Sequence, residues 1–152
     1  MKFLLAAVNA KYIHSNLGVY SLKKYADEKR KQQGTAFLGP DWEIEIGEYT
    51  INHQMDYILQ DIYEKAPDAV GFSCYIWNMD YVEELITEYH KLCPEVPIWV
   101  GGPEVSYEVE TFLAEHPQVT GVMIGEGERT FQQLCKYYVN QTGSLEEIRG
   151  IA

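Results

Sequence analysis

Long apolar runs, basic charge and paired cysteines are all scarce in this sequence. The 152 residues include 12 Lys and Arg against 23 Asp and Glu, a formal net charge of −11. Because an acidic surface repels nucleic acid and anionic lipid, we expect neither as a partner. No segment approaches the roughly 20 apolar residues of a membrane span. The first apolar run, 3–8, is shorter than the roughly 7–15 residues of a secretory signal, so it is predicted to be a buried strand.

Cysteine usage excludes two further classes of protein. The chain has three cysteines, Cys74, Cys93 and Cys135, which are far apart and form no CxxC pair. An odd, widely spaced set favours neither a disulfide framework nor a zinc site. Free thiols are typical of a reducing compartment, and we therefore expect a cytoplasmic protein.

The usual nucleotide-binding signatures are also missing. A GxGxxG fingerprint follows the first strand and opens a helix, but this chain has no glycine before Gly18. The later stretch GEGERTF, which begins at Gly125, lacks the third glycine, and there is no P-loop. A phosphate-accepting receiver domain needs acidic residues after strand one and an aspartate at the end of strand three, and this chain has Asn9 and Ser73 there instead. These absences argue against dinucleotide, P-loop and receiver functions.

What the sequence does have is a regular alternation of two apolar patterns. Strands are predicted at 2–8, 42–49, 69–73, 98–100 and 121–124. Most of them are continuous apolar runs, which are typical of strands buried on both faces. The segment WEIEIGEY differs because acidic residues alternate along it, and it is predicted to be an edge strand with one face in water.

Amphipathic helices are predicted after each strand. The first helix covers about 15–33. The apolar positions expected to face the sheet, given helix by helix, are Val19, Leu22 and Ala26; Met55, Ile58, Leu59 and Ile62; Val82, Leu85, Ile86 and Tyr89; Val105, Val109, Phe112 and Leu113; and Phe131, Leu134, Cys135 and Tyr138. Five strand–helix units predict a parallel sheet with helices on both faces. We expect an α/β, flavodoxin-like (Rossmann-like), doubly wound five-stranded sheet of order 2-1-3-4-5 in three layers.

The unusual residues fall in four loops that this strand order brings together. Ligands bind at the carboxyl ends of the strands in such sheets, near the point where the strand order reverses. The loops after strands one, three, four and five are NAKYIHSN, SCYIWN, GGPEVS and GEGE. The candidate binding residues in these loops are Asn9, Ala10, Lys11, Tyr12, His14, Ser15, Asn16, Ser73, Cys74, Tyr75, Ile76, Trp77, Gly101, Gly102, Pro103, Glu104, Gly125, Glu126, Gly127 and Glu128.

Several of these residues have a simpler explanation that the sequence leaves open. The pair Gly101 and Gly102 lets a ligand approach the backbone, or it only forms a tight turn. Tyr75 and Trp77 offer aromatic walls, or they belong to a core or an interface. Cys74 is better explained as a small buried apolar residue.

The four loops taken together resemble a known family. NAKYIHSNLG, VGFSCYIWN, IWVGGPEVS and IGEGERTF resemble the cobalamin (vitamin B12)-binding domain that precedes the catalytic domain of B12-dependent radical S-adenosylmethionine (SAM) enzymes. The resemblance covers nearly the whole chain. It implies a cobalamin-binding domain at 1–143 and the start of a linker to a C-terminal radical SAM domain at 144–152. It also implies a corrin ring over the carboxyl ends of the strands, with the nucleotide tail beside Ser73, Gly101 and Gly102.

The resemblance implies that catalysis belongs to another part of the protein. The family's radical domain holds a 4Fe-4S cluster through a CxxxCxxC motif and binds S-adenosylmethionine, and the three cysteines here form no such motif. We therefore expect this domain to bind cobalamin and to catalyse nothing by itself. The full-length protein is expected to be a radical SAM enzyme that performs methyl transfer or other radical chemistry, on a substrate this domain does not specify.

His14 is the candidate cobalt ligand. In related cobalamin proteins a DxHxxG loop supplies this histidine, but here Tyr12 stands in place of the aspartate and Gly18 lies four residues after His14. A metal-bound imidazole normally needs an acceptor on its other nitrogen. The sequence therefore favours contact between His14 and the lower face of the ring over coordination.

Two other functions remain open from the sequence. One is a flavodoxin-like interaction or sensor module that kept the fold and lost the cofactor, which the departure from DxHxxG favours. The other is a flavin-binding electron carrier, which the missing phosphate loop disfavours.

Overall fold

A computed structural model describes residues 1–10, 16–33, 42–141 and 143–152. Strands and helices alternate along them: β1 (Lys2–Asn9), α1 (Leu17–Gln33), β2 (Glu43–Thr50), α2 (Met55–Lys65), β3 (Ala69–Ser73), α3 (Met79–Leu92), β4 (Ile98–Gly101), α4 (Val109–Glu115), β5 (Gly121–Met123) and α5 (Glu128–Asn140). Short 3₁₀ helices occupy Pro103–Val105 and Leu145–Glu147.

The five named strands form one parallel sheet in the order β2-β1-β3-β4-β5. This confirms the predicted strand order. β1 lies between β2 and β3, and the residues Phe3 to Val8 are almost completely buried because neighbouring strands and covering helices surround them. The chain direction across the sheet reverses between β1 and β3, which places the crevice of a doubly wound sheet at the carboxyl ends of these two strands.

Side-chain alternation along β1 builds two apolar cores. Leu4, Ala6 and Val8 point into one core, which α2, α3 and α4 cover. Phe3, Leu5 and Ala7 point into the other, which α1 and α5 cover. The helix residues in these cores include most of those predicted from helical spacing, which confirms three layers.

β2 is the edge strand that its alternating pattern predicts. It pairs with β1 alone among the described strands. Its acidic residues Glu43 and Glu45 form ion pairs with Lys2 Nζ, with N–O distances of 3.5 and 2.9 Å. Glu45 also pairs with Lys65 Nζ at 3.7 Å. The start of the edge strand therefore carries a small network of ion pairs, whereas Tyr49 near its end on the same face is buried against α2.

The prediction of one continuous helix through Val105 and Val109 was wrong. Val105 ends the 3₁₀ helix, and α4 begins separately at Val109. The Ser106 hydroxyl donates a hydrogen bond to the Gly102 carbonyl at 2.8 Å, so the chain closes a short turn before it starts a new helix.

β5 ends one residue earlier than predicted, at Met123. The Ile124 amide donates to the Gly150 carbonyl at 2.7 Å, while Ile151 forms an antiparallel bridge with Met123. Residues 150–152 thus lie along the outer edge of β5, and residues 144–152 are called the edge segment below. Within the described residues, no helix is both long enough and apolar enough to cross a membrane.

Candidate functional site

A cavity of about 560 Å³ opens at the carboxyl ends of the strands, between the sheet and helices α1 and α5. It exists because the strand positions beneath it, Gly71, Ser73 and Gly101, carry small side chains or none. The helices bridge this gap without filling it. The cavity is lined by Leu5, Gly18, Val19, Leu22, Gly71, Phe72, Ser73, Tyr75, Gly101, Gly102, Pro103, Ser106, Tyr107, Met123, Gly125, Glu126, Gly127 and Glu128.

The strand glycines under the cavity differ in how much space surrounds them. A Cβ atom added at Gly101 would lie 3.4 Å from the Met123 carbonyl oxygen and 3.6 Å from its Cβ, which are ordinary contacts. The neighbours therefore do not require glycine at this position. Glycine within a strand costs stability and often marks the close approach of a ligand. Gly71 is more confined, because a Cβ there would lie 3.2 Å from Leu5 Cδ2.

Gly102 has a conformational role instead. Its φ is 115°, and a Cβ atom there would overlap the carbonyl oxygen of Cys74. The Cys74 amide in turn donates to the Gly101 carbonyl at 2.7 Å, so the ends of β3 and β4 lie against each other. Gly102 therefore makes the tight turn that the sequence offered as one explanation, and the space above Gly101 is open.

An aromatic pair stands beside the cavity. The rings of Tyr75 and Trp77 stack with centroids 4.4 Å apart and planes at 9°. Tyr75 lines the cavity, whereas Trp77 is 49% exposed and its neighbour Ile76 is 79% exposed. Exposed apolar groups gathered around a cavity mouth are typical of a binding surface. The core alternative for Trp77 is thereby excluded.

Asn16 ties helix α1 to the cavity floor. Its Nδ2 donates to Ser73 Oγ at 3.0 Å, and its Oδ1 accepts from the Val19 amide at 3.4 Å as the cap of α1. Since Ser73 Oγ accepts from Asn16, its own proton is available to an acceptor inside the cavity.

Asn78 fixes the loop after β3, and we did not select it from the sequence. It is 1% exposed, its Oδ1 accepts from the Tyr75 amide at 2.8 Å, and its Nδ2 donates to the carbonyls of Val8 at 2.9 Å and Ser73 at 3.1 Å. One side chain thus joins the ends of β1 and β3 to the aromatic pair. The feature of the sequence that could have identified Asn78 is its position directly before a helical pattern, where N-cap residues stand.

Glu48 lies at the end of β2, where the sequence shows no rich loop. Its Oε1 accepts from Asn9 Nδ2 and from the Asn16 amide, each at 3.4 Å. Its Oε2 accepts from the Tyr20 hydroxyl at 2.8 Å, and this hydrogen bond raises the pKa of Tyr20. One carboxylate therefore accepts hydrogen bonds from residues on both sides of 11–15. The candidates Lys11, Tyr12, His14 and Ser15 fall in that stretch and lie outside the described residues.

The loop after β5 turns through two glycines. Gly125 and Gly127 have φ values of 80° and 82°, which only glycine adopts readily. Glu128 starts α5, where its charge favours the positive end of the helix, and it accepts from Ser21 on α1 at 2.8 Å. This hydrogen bond joins the two helices across the cavity mouth.

The structure separates the predicted candidates into two groups. Those that line the cavity are Ser73, Tyr75, Gly101, Gly102, Pro103, Gly125, Glu126, Gly127 and Glu128. The described candidates outside its lining are Asn9, Ala10, Asn16, Cys74, Ile76, Trp77 and Glu104. The Cys74 side chain packs into the core on the opposite face of the sheet, and burial raises its pKa to about 12.

The deep lining of the cavity was missed by sequence reasoning. Leu5, Val19, Leu22 and Met123 appear in the sequence as ordinary core positions, and only the empty strand positions opposite them turn them into cavity walls. The feature of the sequence that could have indicated the cavity is Gly71, a glycine inside an apolar strand. Among the described residues, no cluster of three or more His, Cys, Asp or Glu could hold a metal ion.

The model of the B12 binding domain family matches residues 4–135 of the chain. The chain belongs to the B12-binding domain family. This confirms the resemblance seen in the four loops.

Two curated relatives match part of this B12-binding domain. The cobalamin-dependent radical SAM methyltransferase TokK of Streptomyces tokunonensis is 34% identical over 86 residues, which are 57% of the chain and 13% of TokK. The 2-(S-pantetheinyl)-carbapenam-3-carboxylate methyltransferase of Streptantibioticus cattleyicolor is 38% identical over 71 residues, 45% of the chain and 10% of that enzyme. The chain therefore matches only about a tenth of the length of these relatives.

Solved structures share the fold. The cobalamin-dependent S-adenosylmethionine radical enzyme OxsB, with aqua-cobalamin and S-adenosylmethionine bound, aligns over 99% of the chain and 20% of OxsB with a TM-score of 0.74 and 21% identity. A cobalamin-binding protein from Desulfitobacterium hafniense aligns over 93% of the chain and 59% of its own length, with a TM-score of 0.60 and 15% identity.

Proposed function

We propose that this B12-binding domain holds cobalamin over the carboxyl ends of its strands, with the nucleotide tail in the cavity between the sheet and helices α1 and α5. The observation that carries this proposal is the cavity of about 560 Å³ above Gly71 and Gly101. A narrow space floored by strand glycines fits a side arm that enters the protein, beneath a flat ring that stays at the surface.

The chemistry of the lining fits the two parts of such a ligand. Apolar side chains of Leu5, Leu22 and Met123 surround the deep part of the cavity, which suits an aromatic base. The Ser73 hydroxyl, held by Asn16, offers a donor to the polar part of the tail. Outside the cavity, the exposed Ile76 and Trp77 supply apolar contact area for the ring. Bound cobalamin would supply a cobalt centre that exchanges alkyl groups and electrons.

For the protein as a whole we propose a radical SAM enzyme in which this domain holds the cobalamin. The curated relatives support it, since both are methyltransferases and one is named as a cobalamin-dependent radical SAM enzyme. The 4Fe-4S cluster, the S-adenosylmethionine and the substrate would belong to a radical SAM domain that follows the edge segment. The reaction would be methyl transfer or other radical chemistry. Three free cysteines suit a cytoplasmic location.

A titration with hydroxocobalamin tests cobalamin binding. The purified chain is expected to keep a corrin absorption spectrum after desalting. Gly101→Ala and Gly101→Val form a graded series, because each added carbon would take space from the cavity while the strand conformation stays available. We expect affinity to fall with side-chain size, by about tenfold or more for valine, the equivalent of about 1.4 kcal/mol, with little change in melting temperature.

Three results would contradict the proposal. Absence of bound corrin after desalting would favour the interaction or sensor module, and flavin in the purified protein would favour the electron carrier. Unchanged affinity for hydroxocobalamin in the Gly101→Val variant would show that the nucleotide tail does not occupy the cavity.

The role of His14 is tested separately. We propose that His14 contacts the lower face of the ring without coordinating cobalt. His14→Ala is therefore expected to leave unchanged the absorption spectrum of bound hydroxocobalamin and, after chemical reduction of the bound cofactor to cob(II)alamin, its electron paramagnetic resonance spectrum. Loss of an axial nitrogen signal in this variant would show coordination.

A further inference from the structure

The edge segment continues the sheet beyond β5. The Val122 amide donates to the Ala152 carbonyl at 2.8 Å, and the Ala152 amide returns a hydrogen bond to the Val122 carbonyl at 3.0 Å. The Ile124 amide donates to the Gly150 carbonyl at 2.7 Å. Leu145, Ile148 and Ile151 pack against the core under α1 and α5. The segment is thus attached by both backbone pairing and apolar burial.

A second attachment joins the segment to the first turn of α5. The Thr130 hydroxyl, in a residue only 7% exposed, donates to the Arg149 carbonyl at 2.9 Å. Gly150 follows with a φ of 87°, and a Cβ atom there would lie 2.6 Å from Thr130 Oγ1. The close approach between the segment and α5 therefore requires glycine at this position.

These two attachments lie on either side of the cavity loop 125–127. Ile124 immediately precedes Gly125, and Thr130 lies three residues after Gly127. A Cβ added at Gly125 would meet no described atom within 4 Å, and one at Gly127 would meet Leu22 Cδ2 at 3.4 Å. Because the loop turns through two glycines with positive φ, its conformation depends on where its two ends are held.

We propose that the edge segment is a positioning element of the cofactor site: its hydrogen bonds to Ile124 and Thr130 hold the two ends of the loop 125–127 in the conformation that binds cobalamin. The inference rests on the proposed function. Displacement of the segment frees both ends of the loop and weakens cobalamin binding. By thermodynamic reciprocity, bound cobalamin strengthens the pairing of the segment with β5 by the same factor.

The test compares variants that loosen the segment with matched variants that do not. Gly150→Ala introduces the Cβ that meets Thr130, whereas Gly143→Ala carries similar backbone strain, at a φ of 90°, with Glu147 Oε2 at 3.6 Å as its nearest neighbour. Thr130→Val removes the donor to Arg149, and Thr130→Ser keeps it. The measurements are the dissociation constant for hydroxocobalamin, from absorbance, and hydrogen exchange of the Ile124 amide with and without cobalamin.

We expect Gly150→Ala and Thr130→Val to speed exchange at Ile124 and to weaken hydroxocobalamin binding about tenfold, the value of one hydrogen bond. Gly143→Ala and Thr130→Ser should stay close to the unmodified chain. Val96→Ala, which thins the opposite core far from the loop, controls for general loss of stability and should leave the affinity unchanged. In the unmodified chain, cobalamin should slow exchange at Ile124.

The outcomes separate this inference from the proposed function. If the unmodified chain binds no corrin, the proposed function fails and the inference fails with it. If the unmodified chain binds hydroxocobalamin and both loosened variants bind it equally well, only the inference is overturned. An equal loss of affinity in Val96→Ala would also overturn it, because general destabilisation would then explain the effect.

Discussion

At the scale of single residues, the glycines at the carboxyl ends of the strands serve two different needs. Gly102 has a φ of 115° and lies against the Cys74 carbonyl, so its neighbours exclude any side chain. A Cβ atom added at Gly101 would make only ordinary contacts, so the neighbouring atoms do not require glycine there. The glycine instead keeps the space above it open. The first need concerns stability and the second concerns the volume of the cavity, and separate substitutions distinguish them.

Gly102→Ala should destabilise the protein by about 3 kcal/mol, because alanine would be strained in this backbone region and its Cβ would collide with the Cys74 carbonyl. Gly125→Ala is the matched control, since its φ of 80° also favours glycine but a Cβ there meets no described atom within 4 Å. It should cost only about 1 kcal/mol. Urea denaturation measures both, and equal losses would contradict the collision.

The three cysteines should differ in reactivity. Cys74 and Cys135 are buried, and burial raises the pKa of each thiol, that of Cys74 to about 12. Cys93 is partly exposed. Because the thiolate is the reactive form, Ellman's reagent at pH 8 should titrate about one thiol in the folded chain and three after denaturation. Cys93→Ser should remove the fast reaction, and rapid labelling of that variant would contradict the buried positions.

At the scale of strands, helices and loops, the site depends on side chains that join elements far apart in the sequence. Glu48 from β2 holds both flanks of the loop after β1, and Asn78 joins the ends of β1 and β3. Glu48 lies outside the four loops selected from the sequence, and Asn78 ends the SCYIWN loop without being among the candidate residues. The edge position of β2 was predictable because alternation of charge and apolarity reports one wet face directly. The break before α4 was not, because it depends on the Ser106 to Gly102 hydrogen bond.

The packing of α2 on β2 should make stability depend on acid pH. Asp61 on α2 accepts from Tyr49 on β2 at 2.6 Å and pairs with Lys65 at 3.1 Å. Burial acts to raise the pKa of Asp61, but the hydrogen bonds from Tyr49 and Lys65 outweigh it and hold the pKa below the usual 3.8. The folded state therefore binds this proton more weakly than the unfolded state, and the stability it contributes is lost as the pH falls through the folded pKa.

We expect the free energy of unfolding, measured in urea from pH 7 to pH 2.5, to fall below about pH 4. Asp61→Asn should be less stable at pH 7 and should show a shallower fall in that range. Asp56→Asn, at an exposed position of the same helix, serves as the control and should keep the slope of the unmodified chain. If the free energy of unfolding of Asp61→Asn falls with pH as steeply as that of the unmodified chain, other carboxylates cause the loss of stability in acid.

At the scale of the whole molecule, the cavity lies between two layers that would otherwise close on each other. The sheet and the helices α1 and α5 share one apolar core, and the cavity takes the place of packing at its carboxyl end. A ligand that fills this space adds contacts between both layers. Ligand binding to the folded state alone raises stability by mass action.

Hydroxocobalamin at about 100 times its dissociation constant should add about 2.7 kcal/mol, which raises the melting temperature of a domain of this size by roughly 5–10 °C. Cobinamide, which lacks the nucleotide base, is the matched ligand. At the same concentration it should raise the melting temperature less, because the deep apolar part of the cavity stays unfilled and the affinity is lower. Differential scanning fluorimetry measures both. Equal shifts from the two corrinoids would place the base outside the cavity.

The sequence by itself determined the layers, the strand order and the four loops at the carboxyl ends of the strands. Apolar periodicity distinguishes strands from helices locally, and the handedness of the connections limits how parallel strands can be ordered. Only the tertiary structure decided which residues form the cavity walls, which side chains fix the loops, and where the edge segment attaches. Leu5, Gly71 and Met123 lie on three different strands, so the empty space between them has no local signature.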